Sequence, residues 1–314
     1  MSFQIHDARP RPFQAADYIL TEPLRAAVET AIALGQPLLV TGAPGTGKTE
    51  LAFKVAADLA ADNATHGLNF APEPLIFNTK TTAESRDLFY TYDALAHFRA
   101  ANLTDKTDAQ ADIANFLDLQ ALGLAIARTN TGTPPANALR GEEYAGQSTV
   151  VLIDEIDKAP RDLPNDLLHE IKHYKFNIKE QASREIAIDH ARRIVLIMTS
   201  NSEKNLPNAF LRRCVFHHIE LPDEATLLRI AKAQLGGHNQ FTEEALKKLI
   251  WRFTQVQGMD LRKPPSTAEM IAWLRMLAVI RPDGSLERGE VGLDRLSLLV
   301  KTAEDRKKLL AQLG

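Results

Sequence analysis

VTGAPGTGKTE, residues 40–50, joins an apolar run to a helical pattern and decides the fold class of this chain. Residues 38–40 are apolar throughout, which is typical of a short strand buried on both faces of a sheet. After Lys48 the apolar residues recur at helical spacing as far as Leu59. The sequence therefore predicts a strand, a glycine-rich loop and a helix, in that order.

The loop fits the pattern G-x-x-x-x-G-K-[ST], in which glycines let backbone N–H groups surround a phosphate at a helix N-terminus. Lys48 is predicted to reach the β- and γ-phosphates, in binding and in catalysis, and the Thr49 hydroxyl to ligate Mg²⁺. A chance glycine turn is the alternative, but the flanking strand and helix are the context that the motif requires. The predicted nucleotide-binding residues here are Gly42, Ala43, Pro44, Gly45, Thr46, Gly47, Lys48, Thr49 and Glu50.

A second apolar run, TVVLIDEID at 149–157, ends in two carboxylates. Asp154 is predicted to hold the metal, and Glu155 to polarise the attacking water. Alone, such a pair could be a solvated strand end. After a phosphate-binding loop it is the pair that Mg²⁺-dependent hydrolysis requires.

Two more polar groups fit the same chemistry. Asn201 ends the run ARRIVLIMTSN and is predicted to orient the water or touch the γ-phosphate, although a strand-ending Asn can simply serve a turn. LPNAFLRRC, 206–214, carries adjacent arginines. A guanidinium can stabilise the transferring phosphoryl group, with Arg213 the first candidate and Arg212 the second. A surface ion pair is the alternative for both.

Strands are predicted at 75–80, 149–157, 191–201 and 214–221, separated mostly by helical stretches. This alternation predicts an α/β fold with a mostly parallel sheet and functional loops at the carboxyl ends of its strands. The long interval between Lys48 and Asp154 must add structure, and we expect helices near 84–100 and 108–128, followed by a loop over 129–147. Two alternating segments around a polar QAS predict a β-hairpin at 176–189.

After Pro222 the pattern is helical to the end, with helices expected over 223–235, 242–256, 266–280 and 294–313. We therefore predict an α/β domain at 1–221 and an all-helical domain at 222–314. Trp251 and Trp273 lie in helical apolar stripes and are expected in its core.

Composition narrows the class of protein. A net charge of −3 and a pI near 6.3 do not indicate a protein that coats nucleic acids or membranes through a generally basic surface. Cys214 is the one cysteine, so it has no partner for an internal disulfide or a cysteine metal site, and a cytoplasmic compartment fits. The N-terminus lacks an apolar signal core, and no apolar run reaches the roughly 18 residues of a membrane span.

In combination, GAPGTGKT, VVLIDEID, MTSN and AFLRRC, followed by helices, resemble an AAA+ ATPase. More narrowly, the chain resembles the MoxR family over roughly residues 18–280. The stretches that carry this resemblance are LFYTYDAL (88–95), LIDEIDKAPRDLPNDLLHEI (152–171), the 176–189 hairpin, TSNSEKNLPNAFLRRC (199–214) and LRKPPSTAEMIAWL (261–274).

The resemblance implies an αβα ATPase (P-loop NTPase) domain with a helical lid, ATP and Mg²⁺ as cofactors, and a ring homo-oligomer, typically a hexamer. It implies chaperone-like maturation of a protein client with a von Willebrand factor A domain partner. It also implies that Arg213 acts in a neighbouring subunit and that Tyr18 and Ile19 lie near the adenine. Where the family's lid places a γ-phosphate-sensing arginine, this chain has Arg262 and Lys263 before two prolines.

Two other functions stay open at this stage. A nucleic-acid motor or loader is possible because other AAA+ proteins act on DNA, but no appended DNA-binding module is recognisable. The other open function is a nucleotide switch that does not hydrolyse ATP. The residues that hydrolysis requires are nevertheless all present, namely Lys48, Asp154, Glu155 and Asn201.

Overall fold

The computed structural model describes residues 7–10, 12–103, 113–132, 144–202, 206–236, 241–280 and 296–313. The chain forms two compact units. The first, the sheet unit, comprises Thr21–Thr41 and Thr49–His218, and the second, the helical unit, comprises Met1–Leu20, Gly42–Lys48 and Ile219–Gly314. The domain boundary between residues 221 and 222 stays a prediction.

In chain order, the described elements are α1 (Glu22–Leu34), β1 (Leu38–Gly42), α2 (Lys48–Ala61), α3 (Asn63–His66), β2 (Leu75–Asn78), β3 (Tyr90–Tyr92), α4 (Ala94–Leu103), β4 (Leu117–Leu119), α5 (Ala121–Thr129), β5 (Thr131–Gly132), β6 (Tyr144–Ala145), β7 (Thr149–Asp154), α6 (Leu163–Ile171), β8 (Lys175–Ile178), β9 (Arg184–Ala187), β10 (Ile194–Ser200), α7 (Asn208–Leu211), β11 (Val215–Ile219), α8 (Glu224–Leu235), α9 (Glu243–Gln257), α10 (Thr267–Ile280) and α11 (Ala303–Leu313).

The main sheet has five strands in the order β11-β1-β10-β7-β2. β1 pairs with β10, β10 with β7 and β7 with β2, all in parallel. Asn78 is aligned with Asp154, and Thr41 with Ser200. The carboxyl ends of these strands therefore meet at one edge, and the predicted α/β fold with a parallel sheet is confirmed.

The core of the sheet unit explains why its strands are apolar on both faces. Val150, Val151, Leu152 and Ile153 in β7 are fully buried. Val151 and Ile153, two residues apart and so on one face of the sheet, belong to the same apolar cluster as Leu122 of α5. Complete burial of one such aliphatic side chain stabilises the fold by about 1.5–3 kcal/mol.

The two helices expected at 84–100 and 108–128 are wrong as continuous elements. Residues Ser85–Leu88 form a 3-10 turn, and β3 pairs antiparallel with β4. α4 and α5 supply the helical parts, while residues 104–112 lie outside the described ranges. Tyr90 is 2% exposed and its ring lies 6.2 Å from that of Phe176, so packing favours a strand where local spacing suggested a helix.

The segment 176–189 contains a two-stranded antiparallel hairpin. β8 and β9 pair from Lys175↔Ala187 to Ile178↔Arg184. The polar connection includes a 3-10 turn, and Ala182 and Ser183 both have positive φ. Of the loop expected over 129–147, residues 133–143 lie outside the described ranges, and β5 pairs antiparallel with β6 at its ends.

The helical unit packs α8, α9 and α10 around one apolar cluster. Trp273 is fully buried, as predicted, but Trp251 is 50% exposed, so its assignment to the core is wrong. Trp251 directly follows the buried Ile250 and points away from the apolar stripe, because successive helical residues are rotated by about 100°. The last expected helix is also interrupted: Leu296–Leu298 is a 3-10 turn and α11 begins only at Ala303.

None of the helices in the described ranges is both long and apolar enough to span a bilayer.

Candidate active site

The carboxylate of Asp154 lies at the end of β7 and accepts hydrogen bonds from two threonines. Thr49 Oγ1 donates to Asp154 Oδ1 at 3.1 Å. Thr199 Oγ1 donates to the same oxygen at 2.5 Å. The parallel pairing of β7 with β10 brings Thr199 to this position, because both strands end at the same edge of the sheet. Thr49 and Asp154, which were predicted to hold the metal, are thus in contact.

Glu155, the next residue, has a left-handed backbone with φ of 57°. A non-glycine residue in this region costs energy and persists where its surroundings hold it. Here its backbone N–H donates to Thr199 Oγ1 at 2.9 Å. Thr199 therefore orients both acidic residues.

The side chain of Glu155 contacts two polar groups. Asn201 Nδ2 donates to Glu155 Oε1 at 3.4 Å, and Lys158 forms an ion pair with Glu155 Oε2. The hydrogen bond from Lys158 to Glu155 raises the pKa of the Lys158 ammonium. Asn201 is also tied to the same turn by its backbone N–H, which donates to Asp157 at 3.3 Å. The structure thus brings Glu155 and Asn201 together.

Thr199 and Lys158 are the residues of this group that sequence reasoning missed. Thr199 lies two positions before Asn201, in a strand where every residue after Ile194 is buried, so no local pattern separates it from its neighbours. Lys158 follows Glu155 by three residues across a 3-10 turn, and this spacing is a readable signal for a contact.

The phosphate loop, residues Gly42–Lys48, belongs to the helical unit. Gly45 and Gly47 have φ of 72° and 87°, which favours glycine at both positions. Lys48 is 7% exposed, and its Nζ donates to Gly42 O at 2.8 Å and to Ala43 O at 2.9 Å. Glu50 is exposed in the first turn of α2.

Two side chains of the helical unit lie against this loop. A Cβ on Gly45 would stand 2.8 Å from Ser266 Oγ, and one on Gly47 would stand 3.2 Å from the ring of Tyr18. Ala268 N also donates to Gly45 O at 3.2 Å. Tyr18, predicted near the adenine, lies next to the phosphate loop, and its contact with the adenine stays a prediction. Ser266 was missed. The S-x-x-E spacing from Ser266 to Glu269 is a capping box that the sequence does show.

Of the remaining residues predicted to contact nucleotide, Arg262 pairs with α11 of the helical unit. Arg262 Nε lies 3.1 Å from Glu304 Oε2 of α11, and Arg262 N donates to Asp305 Oδ1 at 2.9 Å. Lys263 is exposed, and Ile19 is half-buried. Nucleotide sensing by Arg262 or Lys263 and adenine contact by Ile19 stay predictions.

Arg212 and Arg213 follow the short helix α7, which is anchored by the fully buried Phe210. Both arginines are exposed. Within the described residues neither forms an ion pair, so the alternative interpretation as a surface ion pair has no support there. Arg213 lines a cavity together with Pro37, which precedes β1. It therefore lies at the amino-terminal edge of the sheet, opposite the edge that carries Asp154.

The residues present fit a magnesium nucleotide. Mg²⁺ prefers oxygen ligands and uses one or two protein side chains together with phosphates, and Thr49 with Asp154 offers that donor set. The described part of the chain contains no group of three or more His, Cys, Asp or Glu residues able to hold a metal ion. The buried ammonium of Lys48 and the glycines around it suit an anion.

A phosphate loop after a buried strand, a five-stranded parallel sheet and a helical carboxyl-terminal region define the AAA+ P-loop fold. The chain belongs to the family described as AAA domain (dynein-related subfamily), whose profile matches residues 37–214. No protein among the curated sequences matches it. Among solved structures, a variant of RuvB from Thermotoga maritima is similar at 16% identity and a TM-score of 0.42, covering 83% of this chain. The chain spans 63% of that RuvB chain.

Proposed function

We propose that this protein is a MoxR-like ATPase that hydrolyses ATP with Mg²⁺ to remodel or mature a protein client. The observation that carries the proposal is the contact of Glu155 with Asn201 beside Asp154. A carboxylate held next to a metal-binding residue is placed to activate water, and an amide beside it can orient that water. A protein that only binds nucleotide has no need of this arrangement.

Each residue has a chemical role in this proposal. Lys48 and the loop N–H groups bind the β- and γ-phosphates, and Thr49 with Asp154 holds Mg²⁺. The metal, when bound, neutralises charge on the phosphates. Glu155 accepts the proton of the attacking water while Asn201 keeps that water in line. Thr199 holds the two acidic residues in position through its hydrogen bonds to the Asp154 carboxylate and to the Glu155 backbone N–H.

The position of Arg213 supports a ring. Arg213 lies at the amino-terminal edge of the sheet, and Asp154 ends β7 at the other edge. Parallel strands of five to seven residues separate the two edges by roughly 16–23 Å at about 3.3 Å per residue. Arg213 therefore serves a neighbouring subunit, in a homo-oligomer that we propose is a hexamer.

The client and the von Willebrand factor A domain partner come from the MoxR resemblance alone. A cytoplasmic location is part of the same proposal.

The experiment measures ATP turnover against protein concentration, with native mass recorded in the presence and absence of ATP. We expect turnover to rise more steeply than linearly as a ring forms. Glu155→Gln should bind ATP without turning it over, whereas Glu73→Gln, a change at an exposed loop residue, should leave turnover unchanged. Turnover strictly proportional to concentration, or an active Glu155→Gln, would contradict the proposal.

The same assay addresses the two alternatives. Stimulation of turnover by DNA that falls steeply as salt rises would favour a nucleic-acid motor. ATP binding without any turnover by the assembled wild-type protein would favour a nucleotide switch.

A further inference from the structure

A cavity of about 450 Å³ lies within the sheet unit, at the edge opposite the catalytic carboxylates. It is bounded by the end of α1, the residues after α6, and the turn that leads into β10. Its basic side chains define what we name the cationic cleft. They are Lys172, His173, Lys175, His190, Arg192 and Arg193.

Among the described residues that line the cleft none is acidic, although the whole chain has a net charge of −3. Lys172 and Arg193 are exposed, and neither forms an ion pair within the described residues. Arg192 is fixed by its own hydrogen bond, in which Nη1 donates to Gly67 O at 3.1 Å. The cleft therefore carries uncompensated positive charge at Lys172 and Arg193, and a guanidinium in a fixed position at Arg192.

Two carboxylates near the cleft are already engaged. Glu185 forms an ion pair with Lys175 at 2.8 Å, so this lysine contributes little free charge. Asp189 Oδ1 accepts a hydrogen bond from Ala191 N at 2.9 Å, which closes the turn before β10. Lys172 and Arg193 therefore remain the lining cations without an ion pair among the described residues, and Arg192 adds its fixed guanidinium.

The cleft also has an apolar floor beneath this basic rim. Ala31 of α1 and Val195 of β10 are buried. Ile32, Ile188 and Ile194 also line it and are each partly exposed. Partly exposed aliphatic groups under a charged rim offer burial to an apolar side chain of a ligand.

Tyr174 connects this cavity to the one that contains Arg213, because it lines both. Its φ of 43° places an aromatic residue in the left-handed region, which is strained for a residue other than glycine. A hydrogen bond from Ile188 N to Tyr174 O at 3.0 Å holds the backbone there. Burial raises the pKa of the Tyr174 phenol to about 12, so the hydroxyl stays protonated and can donate a hydrogen bond.

We infer that the cationic cleft binds an acidic peptide segment of a protein partner. Carboxylates of the segment would pair with Lys172, Arg192 and Arg193, and one or two aliphatic side chains would lie on the apolar floor. Arginine suits carboxylates because its planar guanidinium can form two parallel hydrogen bonds. The site is separate from the nucleotide chemistry, so the inference does not depend on ATP hydrolysis.

The combination of rim and floor favours a peptide over a nucleic acid. A nucleic acid has no aliphatic side chain that could be buried on the floor formed by Ile188 and Ile194. Single-stranded nucleic acids are bound by aromatic rings on which bases stack. Of the described residues that line the cavity, Tyr174 alone supplies an aromatic ring other than an imidazole.

The test measures binding of a labelled peptide rich in Glu and Leu to the full chain without nucleotide, by fluorescence anisotropy at low salt. We expect saturable binding that the double variant Lys172→Glu with Arg193→Glu weakens by at least about tenfold, since like charge at the rim repels the peptide. The matched control Arg306→Glu with Lys307→Glu reverses two exposed charges on α11 and should bind like the wild type.

Two further probes sharpen the result. Tyr174→Phe keeps the ring and should weaken binding by a few-fold if the hydroxyl donates to the peptide. A peptide with Gln in place of Glu should not bind. Circular dichroism of every variant shows that loss of binding is not loss of fold.

Three outcomes would overturn the inference. The first is absence of peptide binding to the wild type. The second is tighter binding of a single-stranded oligonucleotide of equal charge, which assigns the cleft to nucleic acid. The third is self-association that the peptide displaces and that Lys172→Glu with Arg193→Glu abolishes, which assigns the cleft to a second copy of this chain.

Discussion

The hydroxyl of Thr199 links the two acidic residues of the candidate active site, since it donates to Asp154 Oδ1 at 2.5 Å and accepts from the Glu155 amide at 2.9 Å. A hydroxyl can fill both roles at once because it is one donor and two acceptors. Thr199 is 1% exposed, so no water can replace it without rearrangement. The orientation of the turn after β7 therefore depends on a residue of the neighbouring strand.

Thr199→Val tests this link. Valine has nearly the same shape but leaves the Glu155 amide and one Asp154 lone pair without a partner. We expect a loss of about 1–3 kcal/mol in the free energy of unfolding, measured by urea denaturation. ATP turnover should fall more than ATP affinity, because Glu155 loses its orientation. Thr30→Val, at an exposed position of α1, is the control, and equal stability of both variants would contradict the role of Thr199.

Lys48→Ala should abolish nucleotide binding. The ammonium of Lys48 is buried on loop carbonyl groups and is the positive charge of the phosphate loop. We expect titration with a fluorescent ATP analogue to show at least a tenfold loss of affinity, or about 1.4 kcal/mol. Lys54→Ala is the matched control on the same helix, since Lys54 pairs with Asp58. Retained affinity in Lys48→Ala would show that the loop binds something else.

Arg213→Ala should bind ATP normally but lose turnover by about 10³ or more, the effect of removing an arginine that a neighbour supplies. Mixing Arg213→Ala with Lys48→Ala should restore part of the activity. In the mixed ring, intact phosphate loops of one variant face intact arginines of the other. Arg212→Ala tests the second candidate in the same way. Mixtures as inactive as their components would argue against action between subunits.

Protonation of Glu269 should make the helical unit less stable in acid. Burial alone would raise the pKa of Glu269, but hydrogen bonds from Ser266 and the ammonium of Lys301 lower it below its ordinary value. A lowered pKa stabilises the fold above the unfolded pKa, about 4.3, and this contribution is lost as the pH falls through the folded value.

Glu269→Gln should therefore be less stable than the wild type at pH 7, with the difference shrinking towards pH 3 in urea denaturation series. Glu244→Gln, at an exposed position in the first turn of α9, should show no such trend. A difference that grows in acid would mean that Glu269 is stabilised in its protonated form.

Local pattern was sufficient where the signal is contained in neighbouring residues. Local pattern correctly predicted the strand–loop–helix unit at 38–61 and the buried strand before Asp154, because burial on both faces of a strand leaves an uninterrupted apolar run. The segment 84–128 did not, because Tyr90–Tyr92 become a strand only by pairing with Leu117–Leu119, which lie far along the chain. The prediction for Trp251 was also wrong, because a shift of one residue along a helix changes the face on which a side chain lies.

By itself, the sequence determined the P-loop class of this protein and its mostly parallel sheet. It also identified candidate site residues, namely Lys48, Thr49, Asp154, Glu155 and Asn201. These follow from spacing and chemistry within short segments. Only the tertiary structure decided that Thr199 joins the two acidic residues and that basic residues from α6 to β10 form one cleft. Such contacts depend on strand register and on segments that packing brings together, which no local pattern encodes.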